Sequence, residues 1–268
     1  MQKENWPVPQ WRLAGPGEQG INPELPRQLH SVITSEYGNT NGILVVRNGC
    51  IVYEEYFNGF GPDKPVHVAS VTKSVLSALV GIAVDKGYIP SAGQRVMEYF
   101  PDQVSEEHVR NCGNATIEDL LNMTVPYGFE DWKEPLERMC TSPDWVGFTL
   151  DMMRGNWENS KGKKHFQYCT GGAHLLSAAV QRAVGTSVRE FANQHLFAPT
   201  GMRVIPDYPM ESYTYESLFG EKVRGWVQDP GGITTGGWGL TMTPRDMARF
   251  GLLYLNMGMW NGTQIIPE

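Results

Sequence analysis

Apolar residues at Val71, Val75, Leu79, Ile82 and Ala83 recur at three- and four-residue steps, the spacing of one helix face turned to a core. Ser70 stands at the front of that run and Gly87 closes it, so the pattern predicts a buried helix between them. Before it, Ile43–Arg47 and Cys50–Glu54 flank Asn48-Gly49, the dipeptide that favours a type I′ turn, which predicts a β-hairpin. Further helices are expected at 23–36, at 116–123 behind a Thr116 cap with Asp119 three residues on, and at 171–183 closed by Gly185. Two more are expected at 187–196, closed by Pro199, and from Thr243-Pro244 to Asn256, stopped by Gly258. The stretch 125–160, rich in Trp, Pro, Met and acidic residues, reads as a long irregular loop of the kind that shapes binding sites. Its Trp and Tyr residues serve either as a hydrophobic substrate wall or as cover for the core.

With 268 residues and 41% hydrophobic content, the chain can bury a sizeable core, as one large domain or two lobes. Its net charge is −7, and Lys163-Lys164 is its longest basic run, which argues against nucleic acid or an anionic membrane as the main partner. No uninterrupted apolar segment approaches the length of a membrane span. Residues 1–7 lack the apolar core of a signal peptide, so Cys50, Cys112, Cys140 and Cys169 read as reduced thiols and the expected location is cytoplasmic. The six histidines form no metal-ligand spacing, and neither a metal site nor a cofactor is expected.

Candidate chemistry starts at Ser70. Residues three apart on a helix share a face, which brings Lys73 within reach of the Ser70 hydroxyl. A hydroxyl attacks only after a neighbouring base takes its proton, and a partly desolvated lysine can be that base. S-x-x-K also arises by chance about once in a few hundred residues, so an N-cap serine beside a solvated lysine stays open on spacing alone. Tyr168 lies just before a predicted helix, where its phenol is either a proton acceptor beside a lysine or a packing group. Gly231–Gly239 is glycine-rich but is neither a Walker A loop nor a dinucleotide fingerprint; close backbone packing beside a cleft suits it.

Taken together these residues resemble the serine β-lactamase and penicillin-binding-protein superfamily. Ser70-Val71-Thr72-Lys73 and Tyr168-Cys169-Thr170 resemble its S-x-x-K and Y-x-N motifs. Gly42–Gly49 is similar to the N-terminal hairpin, Leu120–Thr124 to the L-L-x-M-T segment, and Leu196–Met202 to L-F-x-P-L-G-M. Gly237–Leu240 with Thr243–Ala248 resembles the G-G-x-G-L…T-x-x-D-M-A block. The order is kept from about residue 20 to 268, and the resemblance is to the class C-like branch that includes esterases and 6-aminohexanoate oligomer hydrolases.

The resemblance implies an α/β (α+β) fold, an antiparallel sheet flanked by helices with an inserted, mostly helical lobe. It sets the α/β lobe at 1–87 and 205–268 and the helical lobe at 88–204. It makes Ser70 the acylated nucleophile, Lys73 its base and Tyr168 the proton relay, with the Ser70 backbone N–H as half of an oxyanion hole. Thr170, Gly237 and Trp238 become substrate-binding residues. Thr170 stands where the family often has Asn, and no K-T-G or H-x-G third motif occurs in these residues, so the resemblance also implies the front part of a longer chain. The expected function is hydrolysis of a small ester or amide (a β-lactam, a D-Ala peptide, a short ester or an amino-acid oligomer) through an acyl-enzyme. The alternative is a non-catalytic binder or sensor using the same cleft.

Overall fold

The turn at Asn48 and Gly49 sets the sheet. Their φ angles of 50° and 73° lie in the left-handed region, which Asn and Gly tolerate and a type I′ turn requires. The computed structural model describes residues 6–128, 130–131, 134–153 and 164–268. In chain order these form β1 (Arg12–Leu13), α1 (Leu25–Glu36), β2 (Gly42–Arg47), β3 (Cys50–Tyr56), β4 (Val66–His67), α2 (Val71–Asp85), α3 (Glu106–Cys112) and α4 (Ile117–Leu121). There follow α5 (Glu134–Thr141), α6 (Trp145–Asp151), α7 (Thr170–Val184), α8 (Val188–Ala192), α9 (Tyr215–Phe219), β5 (Thr241–Met242), α10 (Pro244–Leu255), β6 (Met259–Trp260) and β7 (Thr263–Gln264). The fold is thus mixed α/β, as expected.

The chain divides into two compact units. The first comprises residues 1–66, 196–204 and 242–268. In it β2 and β3 pair antiparallel from Gly42↔Tyr56 to Arg47↔Cys50, with a bulge between Val45 and Val46. β1 adds to β3 in parallel at Arg12↔Cys50, a pairing the sequence pattern does not show. Thr243 caps α10 by accepting from the Asp246 N–H, and Pro244 occupies the first helical position. Arg245, in the first turn of α10, forks onto Glu54 of β3 with Nε and Nη2 at 2.9 and 2.7 Å from the two carboxylate oxygens. Burial opposes ionisation of Glu54, but the hydrogen bonds from Arg245 and Tyr56 outweigh it and leave its pKa below the ordinary carboxylate value.

The second unit comprises residues 67–195 and 205–241, and α7 is its hub. Every residue from Thr170 to Val180 is buried. α7 carries the small residues Gly171, Gly172, Ala173, Ser177, Ala178 and Ala179 around His174, Leu175 and Leu176, and α2, α4 and α6 all pack on it. α2 shows the expected stripe: Val75, Leu79, Ile82 and Ala83 are buried, although Val71 is exposed. Gly185, at φ 75°, closes α7 as its spacing predicts.

Three segments differ from the pattern-based expectation. Within 125–160, α5 and α6 are helical rather than irregular; Asp144 caps α6 by accepting from the Gly147 N–H at 2.9 Å. Positions 129, 132–133 and 154–160 of that stretch lie outside the described residues, as does Lys163. α3 has no counterpart in the pattern; Ser105 and His108 form a reciprocal cap at its start. The helix expected at 187–196 ends as α8 at Ala192 and continues as a π-helical turn, Asn193–Phe197. Among the described residues no helix is long and apolar enough to cross a membrane, and the four cysteines are buried and form no disulfide.

Candidate active site

The site lies within the second unit, and its first element is a strained turn. Ala69 has φ 44°, a left-handed conformation that a non-glycine residue adopts at a cost of about 1–2 kcal/mol. The buried Thr72 secures it, donating from Oγ1 to the Ala69 carbonyl at 2.7 Å, with the Thr72 N–H on the same oxygen at 3.2 Å. His67 flanks the turn, with Nδ1 3.2 Å from the Ala69 N–H and Nε2 3.2 Å from the Gly239 N–H. A neutral imidazole can accept at one nitrogen only. A protonated ring would set an N–H against both amides, and burial pushes the His67 pKa below its ordinary value.

Ser70 follows at the head of α2 and makes no side-chain cap, so its hydroxyl is not used to terminate the helix. Instead its Oγ lies 3.2 Å from Lys73 Nζ and 2.7 Å from Tyr168 Oη. Lys73 and Ser70 meet because they are one helical turn apart. Tyr168 arrives from 98 positions along the chain. The segment before α7 is tied down by Gln167, whose N–H reaches the Met123 carbonyl at 2.8 Å and whose side chain donates to the Tyr127 carbonyl at 3.0 Å. Lys73 Nζ also stands over the Tyr168 ring, 4.8 Å from its centroid.

Lys73 has two further acceptors, the Gly237 carbonyl at 2.8 Å and Thr170 Oγ1 at 3.0 Å. Behind Thr170 stands a residue that the sequence does not point to, Asp131. It is buried, one carboxylate oxygen accepts the Thr170 backbone N–H at 2.7 Å, and the other accepts the Thr170 hydroxyl. Cys169 caps α7 with its sulfur 3.2 Å from the Gly172 N–H, and burial foremost pushes its thiol up to about 12. Burial and a raised pKa are the marks of a structural thiol rather than a reactive one.

Of the residues expected to contact substrate, Thr170 and Gly237 meet Lys73, whereas Trp238 is 4% exposed. Trp238 stacks on Trp145 and on Phe219, with ring centroids at 5.5 and 5.6 Å, so its ring is used in packing. The glycine-rich loop is a close-packing element, as its composition suggests. A Cβ on Gly236 would fall 2.6 Å from the Ala173 carbonyl carbon and 2.9 Å from Leu76 Cδ2. No group of three or more His, Cys, Asp or Glu side chains among the described residues could hold a metal ion.

This serine, lysine and tyrosine arrangement coincides with a match to the Beta-lactamase family model over residues 39–266. The chain belongs to the Beta-lactamase family. The 6-aminohexanoate-dimer hydrolase of Paenarthrobacter ureafaciens is 24% identical over 92% of this family member and 58% of its own length. The D-aminopeptidase of Brucella canis is 24% identical over 76% of this chain and 40% of its own. The chain thus spans about half the length of these curated relatives. In fold this Beta-lactamase family member is similar to the octameric penicillin-binding protein homologue from Pyrococcus abyssi, with a TM-score of 0.63 at 18% identity over 91% of this chain and 57% of that one.

Proposed function

We propose that the chain carries the nucleophilic centre of a serine hydrolase that cleaves a small amide or ester through an acyl-enzyme on Ser70. The observation that carries this reading is the simultaneous approach of Lys73 Nζ and Tyr168 Oη to Ser70 Oγ, at 3.2 and 2.7 Å. These are the distances over which a proton can pass to and from a nucleophile. In the forward step Lys73, as an amine, takes the Ser70 proton while Oγ bonds to the carbonyl carbon of the substrate. The resulting oxyanion faces the Ser70 backbone N–H. The carbonyl–leaving group bond then breaks, and the leaving nitrogen or oxygen receives a proton through Tyr168. Water adds to the acyl carbon, the ester to Ser70 breaks, the acid departs and Oγ regains its proton.

The substrate class comes from the relatives, one named for a 6-aminohexanoate dimer and the other a D-aminopeptidase, so amides head the panel to assay. The test is hydrolysis of an amino-acid oligomer, a D-Ala peptide, a β-lactam and a p-nitrophenyl ester, together with labelling by a fluorescent fluorophosphonate. Ser70→Ala is expected to abolish turnover and labelling with little change in stability. Lys73→Ala is expected to slow acylation about 10²–10⁴-fold, the usual contribution of a positioned base. Equal activity in wild type and Ser70→Ala refutes the reading. A protein that binds members of the panel without turning any over is a binder instead.

A further inference from the structure

Among the described residues Lys73 Nζ has three hydrogen-bond partners for its three positions beyond Cε: the Gly237 carbonyl, Thr170 Oγ1 and Ser70 Oγ. A carbonyl oxygen can only accept, so Gly237 fixes one Lys73 N–H. A hydroxyl can turn either way, and the second position is therefore undetermined by Thr170 alone. Asp131 removes that freedom. A carboxylate only accepts, and Asp131 already receives the Thr170 N–H on Oδ1 and the Thr170 hydroxyl on Oδ2. The Thr170 hydrogen is thus committed to Asp131, and its lone pairs face Lys73.

We infer that Asp131 is a positioning residue for the acyl-transfer reaction: through the Thr170 hydroxyl it fixes the second Lys73 hydrogen, the Gly237 carbonyl holding the first, so that the lone pair of the Lys73 amine is aimed at Ser70 Oγ. The inference rests on the acyl-enzyme reading above. Without an acceptor at 131, the Thr170 hydroxyl can donate into the Lys73 lone pair and occupy the base. The same logic accounts for Thr170 at a position where an Asn is expected. A carboxamide oxygen is an acceptor by its nature, whereas a threonine hydroxyl becomes a dedicated acceptor only when a second group takes its hydrogen. Asp131 is that second group, 39 positions away in sequence and 7% exposed.

Two variants separate this role from folding. Asp131→Asn keeps an acceptor for the Thr170 N–H but presents an NH₂ to the Thr170 hydroxyl. Thr170→Val keeps the shape and the backbone bond to Asp131 and removes only the hydroxyl. The measurement is the fluorophosphonate labelling of Ser70 in the full chain, resolved into the maximal acylation rate and the concentration for half-maximal rate. Both variants are expected to lower the maximal rate about 10²-fold, the low end for a mis-set base, and to leave the half-maximal concentration within about twofold. Adding Thr170→Asn to Asp131→Asn is expected to restore most of the rate, because the carboxamide oxygen needs no partner to face Lys73. Maximal rates within about threefold of wild type in both variants, with Ser70→Ala unlabelled, overturn this inference alone. So does a loss in Asp131→Asn that the added Thr170→Asn does not recover. Labelling that persists in Ser70→Ala overturns the acyl-enzyme reading and this inference with it.

Discussion

Gly236→Ala links stability and chemistry through a single methyl group. The new carbon would meet the Ala173 carbonyl carbon at 2.6 Å and Leu76 Cδ2 at 2.9 Å, with the Ala173 carbonyl oxygen nearer still. Carbon atoms settle at roughly 3.5–4.0 Å, so the loop must retreat from α7 by about 1 Å. The obstacle is backbone in the buried first turn of α7, which cannot swing aside as a flexible side chain would. Overpacking of this kind costs about 2–3 kcal/mol, or about 5–10 °C in Tm for a chain of this size. The next residue carries the carbonyl that holds Lys73 at 2.8 Å. A retreat of about 1 Å takes that bond beyond hydrogen-bond range, so acylation should fall along with stability. Gly251→Ala is the internal control. Gly251 is exposed in mid-α10, and a Cβ added there would meet nothing within 4 Å, so the same methyl should stabilise by about 0.5–1 kcal/mol. Calorimetric Tm and the acylation rate of both variants check the argument. A Gly236→Ala protein with wild-type Tm and wild-type acylation refutes it.

Two further outcomes follow from the electrostatics. Folded-state burial keeps His67 neutral below its ordinary pKa of 6.5, while the unfolded chain protonates there, so stability should decline as pH falls from about 6.5 toward the lowered folded value. Denaturant midpoints across that window should be less pH-dependent in His67→Gln, and parallel curves would exclude the effect. Glu54→Gln leaves the Arg245 fork facing a neutral amide, and urea unfolding should show a loss of about 1–2 kcal/mol at neutral pH. In the wild type that contribution is present above the unfolded carboxyl pKa near 4.5 and is lost as pH falls through the depressed folded value, so the two proteins should converge in acid. A gap that persists there would point to shape rather than charge.

The parts of the molecule legible in the sequence are those whose cause is local. Asn48-Gly49 needs only its own φ angles to turn the hairpin, Thr243-Pro244 only its own cap to start α10, and Ser70 with Lys73 only one helical turn to meet. α5 and α6 escape because their start signals sit inside a stretch whose Trp, Pro and acidic content reads as irregular, and the capping bond from Asp144 shows only once the helix exists. Tyr168 is singled out by its resemblance to a motif, but its 2.7 Å approach to Ser70 depends on how the segment before α7 is anchored at Met123 and Tyr127. The stacking of Trp238 depends on Trp145 and Phe219, 93 and 19 positions before it. Asp131 leaves no sequence signal, since an aspartate in a polar stretch is ordinary until α7 delivers the Thr170 N–H and hydroxyl to its two oxygens. Hydrogen-bond direction is a property of three-dimensional neighbours: the chain supplies donors and acceptors, and only the packing of α7 decides which way the Thr170 hydrogen, and with it the lone pair of Lys73, is turned.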